Sequence, residues 1–134
     1  MHDERRTGRV AGALLAASLA LVGGCSSAQR PAVEQVAATF ADPATAPEER
    51  CALLVPSTAA ALAEEGATAC AAAMDAVPTG TGPVESVEVW GGEAQVRLAG
   101  DTVFLTGTPD GWRITAADCR STGDGPYRCG VEGP

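Results

Sequence analysis

Val84-Glu-Ser-Val-Glu-Val-Trp90-Gly-Gly-Glu93-Ala-Gln-Val-Arg-Leu-Ala-Gly100-Asp-Thr-Val-Phe-Leu-Thr-Gly-Thr-Pro-Asp110-Gly-Trp-Arg-Ile-Thr-Ala-Ala117 alternates with a period of two, interrupted at even intervals by turn formers. Val87 and Val89 alternate with Glu88 and Trp90. Ala94, Val96 and Leu98 alternate with Glu93, Gln95 and Arg97. Val103 and Leu105 oppose Thr102, Phe104 and Thr106; Trp112, Ile114 and Ala116 oppose Arg113 and Thr115. Gly91-Gly92, Gly100-Asp101 and Pro109-Asp110-Gly111 are hairpin turns in this setting. The pattern predicts an antiparallel meander of four or more strands over residues 84–118.

Upstream of Pro78-Thr-Gly-Thr-Gly-Pro83 the period becomes helical. Val33, Val36, Ala37 and Phe40 fall on one face of a first helix, which Asp42-Pro43 ends. Thr45-Ala46-Pro47-Glu48 has the form of a capping box opening a second helix. Pro56-Ser57 starts a third, over 57–65, with Gly66 as its stop. An Ala-rich helix over about 68–76 carries Cys70 and Met74. The fold class is therefore α+β, with helices at 32–77, a sheet at 84–118 and a tail at 119–134 in one domain of residues 32–134. Gly80-Thr81-Gly82 lacks the lysine of a phosphate loop and reads as a flexible connector.

The N-terminal part has a different character. Arg5, Arg6 and Arg9 precede the uncharged run Val10–Val22. Thirteen residues fall short of the about 20 that span a bilayer, and suit the apolar core of an export signal. The run ends in Leu21-Val22-Gly23-Gly24-Cys25, which resembles the lipobox of bacterial lipoprotein precursors. That resemblance implies a signal peptide at 1–24, diacylglyceryl transfer to Cys25 and cleavage before it. Two or more acyl chains hold a protein durably on a membrane. The expected location is the extracytoplasmic face of the cell membrane. Ser26–Pro31 has no hydrophobic period and reads, with Cys25, as a tether over 25–31, reaching at most about 20 Å.

Cys51, Cys70, Cys119 and Cys129 remain after Cys25. An even number in a small exported domain indicates disulfides. Four cysteines allow three pairings. The local one, Cys51–Cys70 with Cys119–Cys129, is preferred because each pair lies within one structural region, and each is worth about 3 kcal/mol in the chain-entropy model.

Helices followed by a meander behind a lipobox are similar to the small NTF2-like lipoproteins of high-GC Gram-positive bacteria. The resemblance implies a bent sheet wrapped on the helices as an NTF2-like or cystatin-like cone, with a short strand between helices and further strands after the meander. Only a short stretch near 126–131 answers to the latter. Enzymes of that fold use Asp with His or Tyr inside the cone, and this chain departs from the pattern.

Composition narrows the chemistry. Residues 25–134 hold six arginines against fifteen carboxylates, and the chain has no Lys and no Asn. Its single histidine, His2, belongs to the export signal. Such an acidic domain is a poor partner for nucleic acid. Serine triads, Cys–His pairs, Schiff-base lysines and His-based metal sites lose their key residue. Glu48/Glu49, Glu64/Glu65 and Glu85/Glu88 read as solvated pairs. Glu88, Glu93, Asp101 and Asp110 are not spaced as a Ca²⁺ loop. No enzyme, cofactor or metal is expected.

Trp90, Phe104 and Trp112 are the most informative side chains left, and the reading places all three on one side of the meander. They are either core or a groove for an apolar ligand or partner. The expected function is an accessory binding or interaction module at the cell envelope, contacting an envelope protein. The alternative is a carrier or sensor of a small apolar ligand in the cone.

Overall fold

The structure, a computed structural model, describes residues 24–64 and 69–134. The expected export signal as far as residue 23, and residues 65–68 with the expected helix stop Gly66, lie outside the described residues, and side chains are described from Ser26 onward. Helix α1 spans Gly24–Ala41, α2 Pro47–Ala52, α3 Pro56–Glu64 and α4 Cys70–Ala73, followed by a 3-10 turn at Met74–Ala76. Strands β1 Val84–Trp90, β2 Glu93–Leu98, β3 Asp101–Thr108, β4 Gly111–Arg120 and β5 Arg128–Glu132 form an antiparallel meander in sequence order. Among the described residues no helix is long and apolar enough to cross a membrane.

Val33, Ala37 and Phe40, at i, i+4 and i+7, are the buried stripe of α1, which packs on β1, β2 and β4. The tether expected over 26–31 is instead the exposed first part of this helix, with Pro31 inside it. Helical residues rise about 1.5 Å each, so the segment is stiff and less than half as long as an extended tether.

The capping box also fails. The N-cap of α2 is Ala46, which offers no side-chain bond. Thr45 Oγ1 donates instead to the Thr39 carbonyl at 2.7 Å, in the last turn of α1. Asp42 Oδ1 accepts from the Ala44 N–H at 2.8 Å, so the α1–α2 turn claims both polar side chains.

Between α2 and α3, Leu54 forms a parallel bridge with Ile114. The Ile114 N–H donates to Leu53 O at 2.8 Å, and the Val55 N–H to Ile114 O at 2.9 Å. β5 pairs only with Ala116–Arg120 of β4, and this linker occupies part of the edge that β5 leaves open.

The expected alternation holds through β2 and most of β3. Val87, Ala94, Val96, Leu98, Val103 and Leu105 face the helices and are buried. β4 breaks it twice. Leu105 pairs with Ile114 and Phe104 with Ala116, so Thr115 is an extra residue. Thr102 pairs with Cys119, leaving a second extra residue near Asp118, whose φ is +53°. Ala117, not Ala116, is therefore the buried alanine. Such bulges bend and twist the strand that carries them.

Asp101 holds the second bulge. Its Oδ1 accepts from the Cys119 N–H at 2.9 Å and its Oδ2 from the Asp118 N–H at 3.2 Å. Burial raises its pKa above the ordinary aspartate value, the backbone N–H groups of Cys119, Asp118 and Thr102 pull it back, and the Asp118 charge adds to the rise.

The connector 78–83 is pinned rather than flexible. The Gly80 N–H donates to Ala41 O at 2.8 Å, and the Gly100 N–H to Thr81 O at 2.7 Å. Gly82 adopts φ +87°, where a Cβ would strike that of Ala99.

Both local disulfides are present. Cys51–Cys70 joins α2 to α4 with a Cα separation of 6.1 Å, and Cys119–Cys129 joins directly paired residues of β4 and β5 at 3.9 Å. Beside the first lies Arg50, a buried cation that no sequence pattern singled out. Its Nε donates to Phe40 O at 2.7 Å, Nη1 to Met74 O at 3.3 Å and Val77 O at 3.4 Å, and Nη2 to Pro78 O at 3.1 Å. These carbonyls end α1 and the 3-10 turn, where a positive charge also suits the helix dipole. Burial lowers the Arg50 pKa.

Candidate functional site

The face of the sheet turned away from the helices carries the candidate site. Pairing lays out its rows. Gln95, Phe104, Ala116 and Glu132 lie in one row across β2, β3, β4 and β5; Trp90, Glu93, Thr106 and Arg113 lie in the next, across β1 to β4. Phe104 and Trp90 thus share the outer face. Trp112 does not: it pairs with Gly107, is 8% exposed and belongs to the core with Ile114. The expected three-aromatic face is corrected to two, because the first bulge of β4 lies after Ile114 and leaves Trp112 in phase with the inner residues.

Tyr127 supplies the third outer aromatic ring. Its ring meets that of Phe104 edge-on, with centroids 5.1 Å apart and planes at 74°. Its hydroxyl accepts from Gln95 Nε2 at 3.3 Å. Sequence reading left Tyr127 in the tail. The feature that locates it is Cys129: cross-linked to Cys119, which pairs with Thr102 of β3, it ties the end of the tail to the strands beside Phe104.

An open groove of about 680 Å³ runs from this aromatic corner to the start of α3. Glu93 and Glu132 line it together with Thr58 and Thr115. Both carboxylates are exposed. Glu93 accepts from Thr106 Oγ1 at 2.9 Å. The hydroxyls are engaged structurally: Thr58 Oγ1 donates to Thr115 O at 2.9 Å, and Thr115 Oγ1 to Phe104 O at 3.2 Å. These threonines join α3 to the sheet and are not poised as nucleophiles, for each already donates its proton to a backbone carbonyl.

Trp90 stands at the end of β1 with 50% of its surface exposed, and Tyr127 with 36%. An indole left half in water at the end of a short strand contributes little to the core. Glu48, Glu49, Glu64, Glu85 and Glu88 are exposed, as their sequence setting indicated. Cys25 lies at the start of α1, where the backbone alone is described.

The arrangement offers aromatic surface, two carboxylates and hydrogen-bonding edges on one accessible face, which is equipment for binding. No family model, no curated protein and no solved structure matches this chain.

Proposed function

We propose that this chain is an exported binding module of the cell envelope, anchored through a lipid on Cys25, with the outer sheet face around Phe104, Tyr127 and Trp90 as its contact surface. The anchor reading rests on the order of cationic start, apolar run, two glycines and Cys25. The contact reading rests on one observation. Trp90 and the Phe104–Tyr127 pair lie on the face away from the core, beside an open groove, while the other large apolar side chains of the sheet point inward.

The side facing the helices is filled by Phe40, Met74, Leu105 and Ile114, each at most 1% exposed. An NTF2-like cone with a ligand inside would need that space. We therefore place the ligand on the outer face, and the apolar-carrier reading draws no support from the packing. The absence of Lys and of any histidine after the export signal, with the groove threonines bonded to backbone, favours a non-enzymatic role.

A photo-crosslinking residue at Trp90 or Tyr127 in the cell-borne protein should capture one defined envelope component, and the same residue at Glu48 should not. Equal capture from all three positions would remove the outer face as the contact surface.

A further inference from the structure

We infer that the groove receives a cationic side chain, a guanidinium or ammonium, presented by a segment of a partner protein. The inference rests on the reading of the outer face as a contact surface and names the chemistry that surface selects.

Two kinds of group converge there. The Phe104 and Tyr127 rings, at 74° to one another, form a corner whose ring faces carry negative quadrupole potential. Glu93 and Glu132 line the same groove from β2 and β5, with Glu132 in the Phe104 row and Glu93 in the row beside it. An organic cation uses both features together: its flat or alkylated surface lies against a ring while its charge meets a carboxylate. A neutral apolar ligand would leave the carboxylates unused, and an anion would be repelled by them.

The charges are also unspent. Among the described residues, neither Glu93 nor Glu132 has a basic partner within ion-pair distance. Arg113 shares the outer face by register, but its Nη1 donates to the Trp112 carbonyl at 3.0 Å. Arg97 shares the outer face of β2 but lies four residues from Glu93, beyond Gln95, and does not line the groove. With fifteen carboxylates against six arginines after residue 24, the long-range field draws cations toward the whole domain.

A bare metal ion suits the groove less well. Among the described residues no three acidic, histidine or cysteine side chains are grouped to hold one. At about 680 Å³, the groove is also much larger than one side chain needs and continues past Thr115 to Ser57 and Thr58. That length fits a stretch of polypeptide carrying the cation rather than a free amine.

The test uses the full-length exported protein in neutral detergent. The probe is the capped peptide acetyl-Gly-Arg-Gly-Arg-Gly-amide, compared with its uncharged citrulline counterpart and with methylguanidinium alone, by calorimetric titration. The arginine peptide should bind at least ten-fold more tightly than either and weaken with salt. Glu93→Gln with Glu132→Gln should remove that preference, as should Tyr127→Ala, whereas Glu48→Gln with Glu49→Gln should leave it intact. Equal binding of the citrulline peptide, or full binding by the Glu93/Glu132 variant, overturns the inference. Methylguanidinium binding as tightly as the peptide overturns the partner-segment assignment. If crosslinks from Trp90 and Tyr127 persist while the glutamine variant keeps its partner, the contact surface stands and the cation falls; loss of site-specific crosslinking removes both.

Discussion

The guanidinium of Arg50 lies 4.5 Å from the centroid of the Phe40 ring while its Nε donates to the carbonyl of that same residue. Side chain and main chain of Phe40 are thereby held by one group, which also reaches Met74, Val77 and Pro78. A lysine has neither the planar fork nor the reach to serve four carbonyls in different directions. Arg50→Lys should destabilise the protein by about 2–4 kcal/mol, and Arg50→Ala by about 3–5 kcal/mol, since buried carbonyls are left unsatisfied. Urea unfolding of the oxidised protein measures this. A loss below about 0.5 kcal/mol for Arg50→Ala would mean that water replaces the guanidinium without cost.

The two tryptophans should separate cleanly. Trp112 is a core residue, and Trp112→Ala should cost about 3–5 kcal/mol. Trp90→Ala should stay within about 1 kcal/mol of the parent, because half its surface is already in water. Thermal and urea unfolding of both variants decide the matter. The same loss in each would place both rings in the core.

Asp101 gives stability an acid-side dependence of unusual sign. Its folded pKa is raised, chiefly by burial, so folding favours the protonated carboxyl. The contribution is full below the unfolded value of about 3.9 and is lost as pH rises through the folded pKa. The stability of the wild type relative to Asp101→Asn should therefore fall as pH rises through that window. Asp118 faces the same bulge and works in the same direction, although its Oδ1 lies 3.6 Å from Arg120. Unfolding curves between about pH 3 and pH 7 test the sign. A relative gain with rising pH would show the three backbone N–H bonds outweighing burial.

Removing Cys119 and Cys129 together should loosen the tail and move Tyr127 from Phe104, with the helices and the first four strands retained. The expected cost is at most about 3 kcal/mol for a loop of this size. Hydrogen exchange should increase in 121–132 and remain unchanged in β1 and β2. Removing Cys51 and Cys70 should instead increase exchange in α2 and α4. Exchange rising across the entire chain in either case would deny the two cross-links their local character.

The proposed anchor has its own test. Cys25→Ser should abolish incorporation of an alkyne fatty acid and leave an unprocessed or shed product. Undiminished labelling would place the lipid on a residue other than Cys25.

Much of this architecture was legible because period-two alternation survives where pairing is regular. β2 shows it residue by residue and β3 over Val103–Thr106, and the hairpin glycines mark their ends. Where β4 inserts Thr115 and a residue near Asp118, alternation no longer tells inside from outside, so Ala116 does not share the buried side of Ile114. Trp112 precedes both insertions, and its alternation with Ile114 already set it on the inner side, opposite Phe104. Arg50 was invisible for another reason. Its partners are four backbone carbonyls from Phe40 to Pro78, and backbone acceptors leave no trace in residue identity. The capping box misled because Thr45 had a second acceptor within reach at Thr39. Half of the aromatic corner was readable in Phe104; Tyr127 lies in the irregular stretch between β4 and β5, where no period tells which ring it meets.

The locality of the two disulfides has a mechanical consequence. The chain from Cys25 to Arg50 lies outside both cross-linked loops. Tension between an anchored N-terminus and a partner held in the groove would fall first on α1, which is held by the side-chain packing of Val33, Val36, Ala37, Phe40 and Ala41 and by the bonds at its C-terminal end, with no covalent cross-link. Those 26 residues could extend to about 90 Å before the pull reached the first covalent cross-link at Cys51. The helix would act as a yielding spring in series with a cross-linked head, lengthening under load while the groove kept its shape.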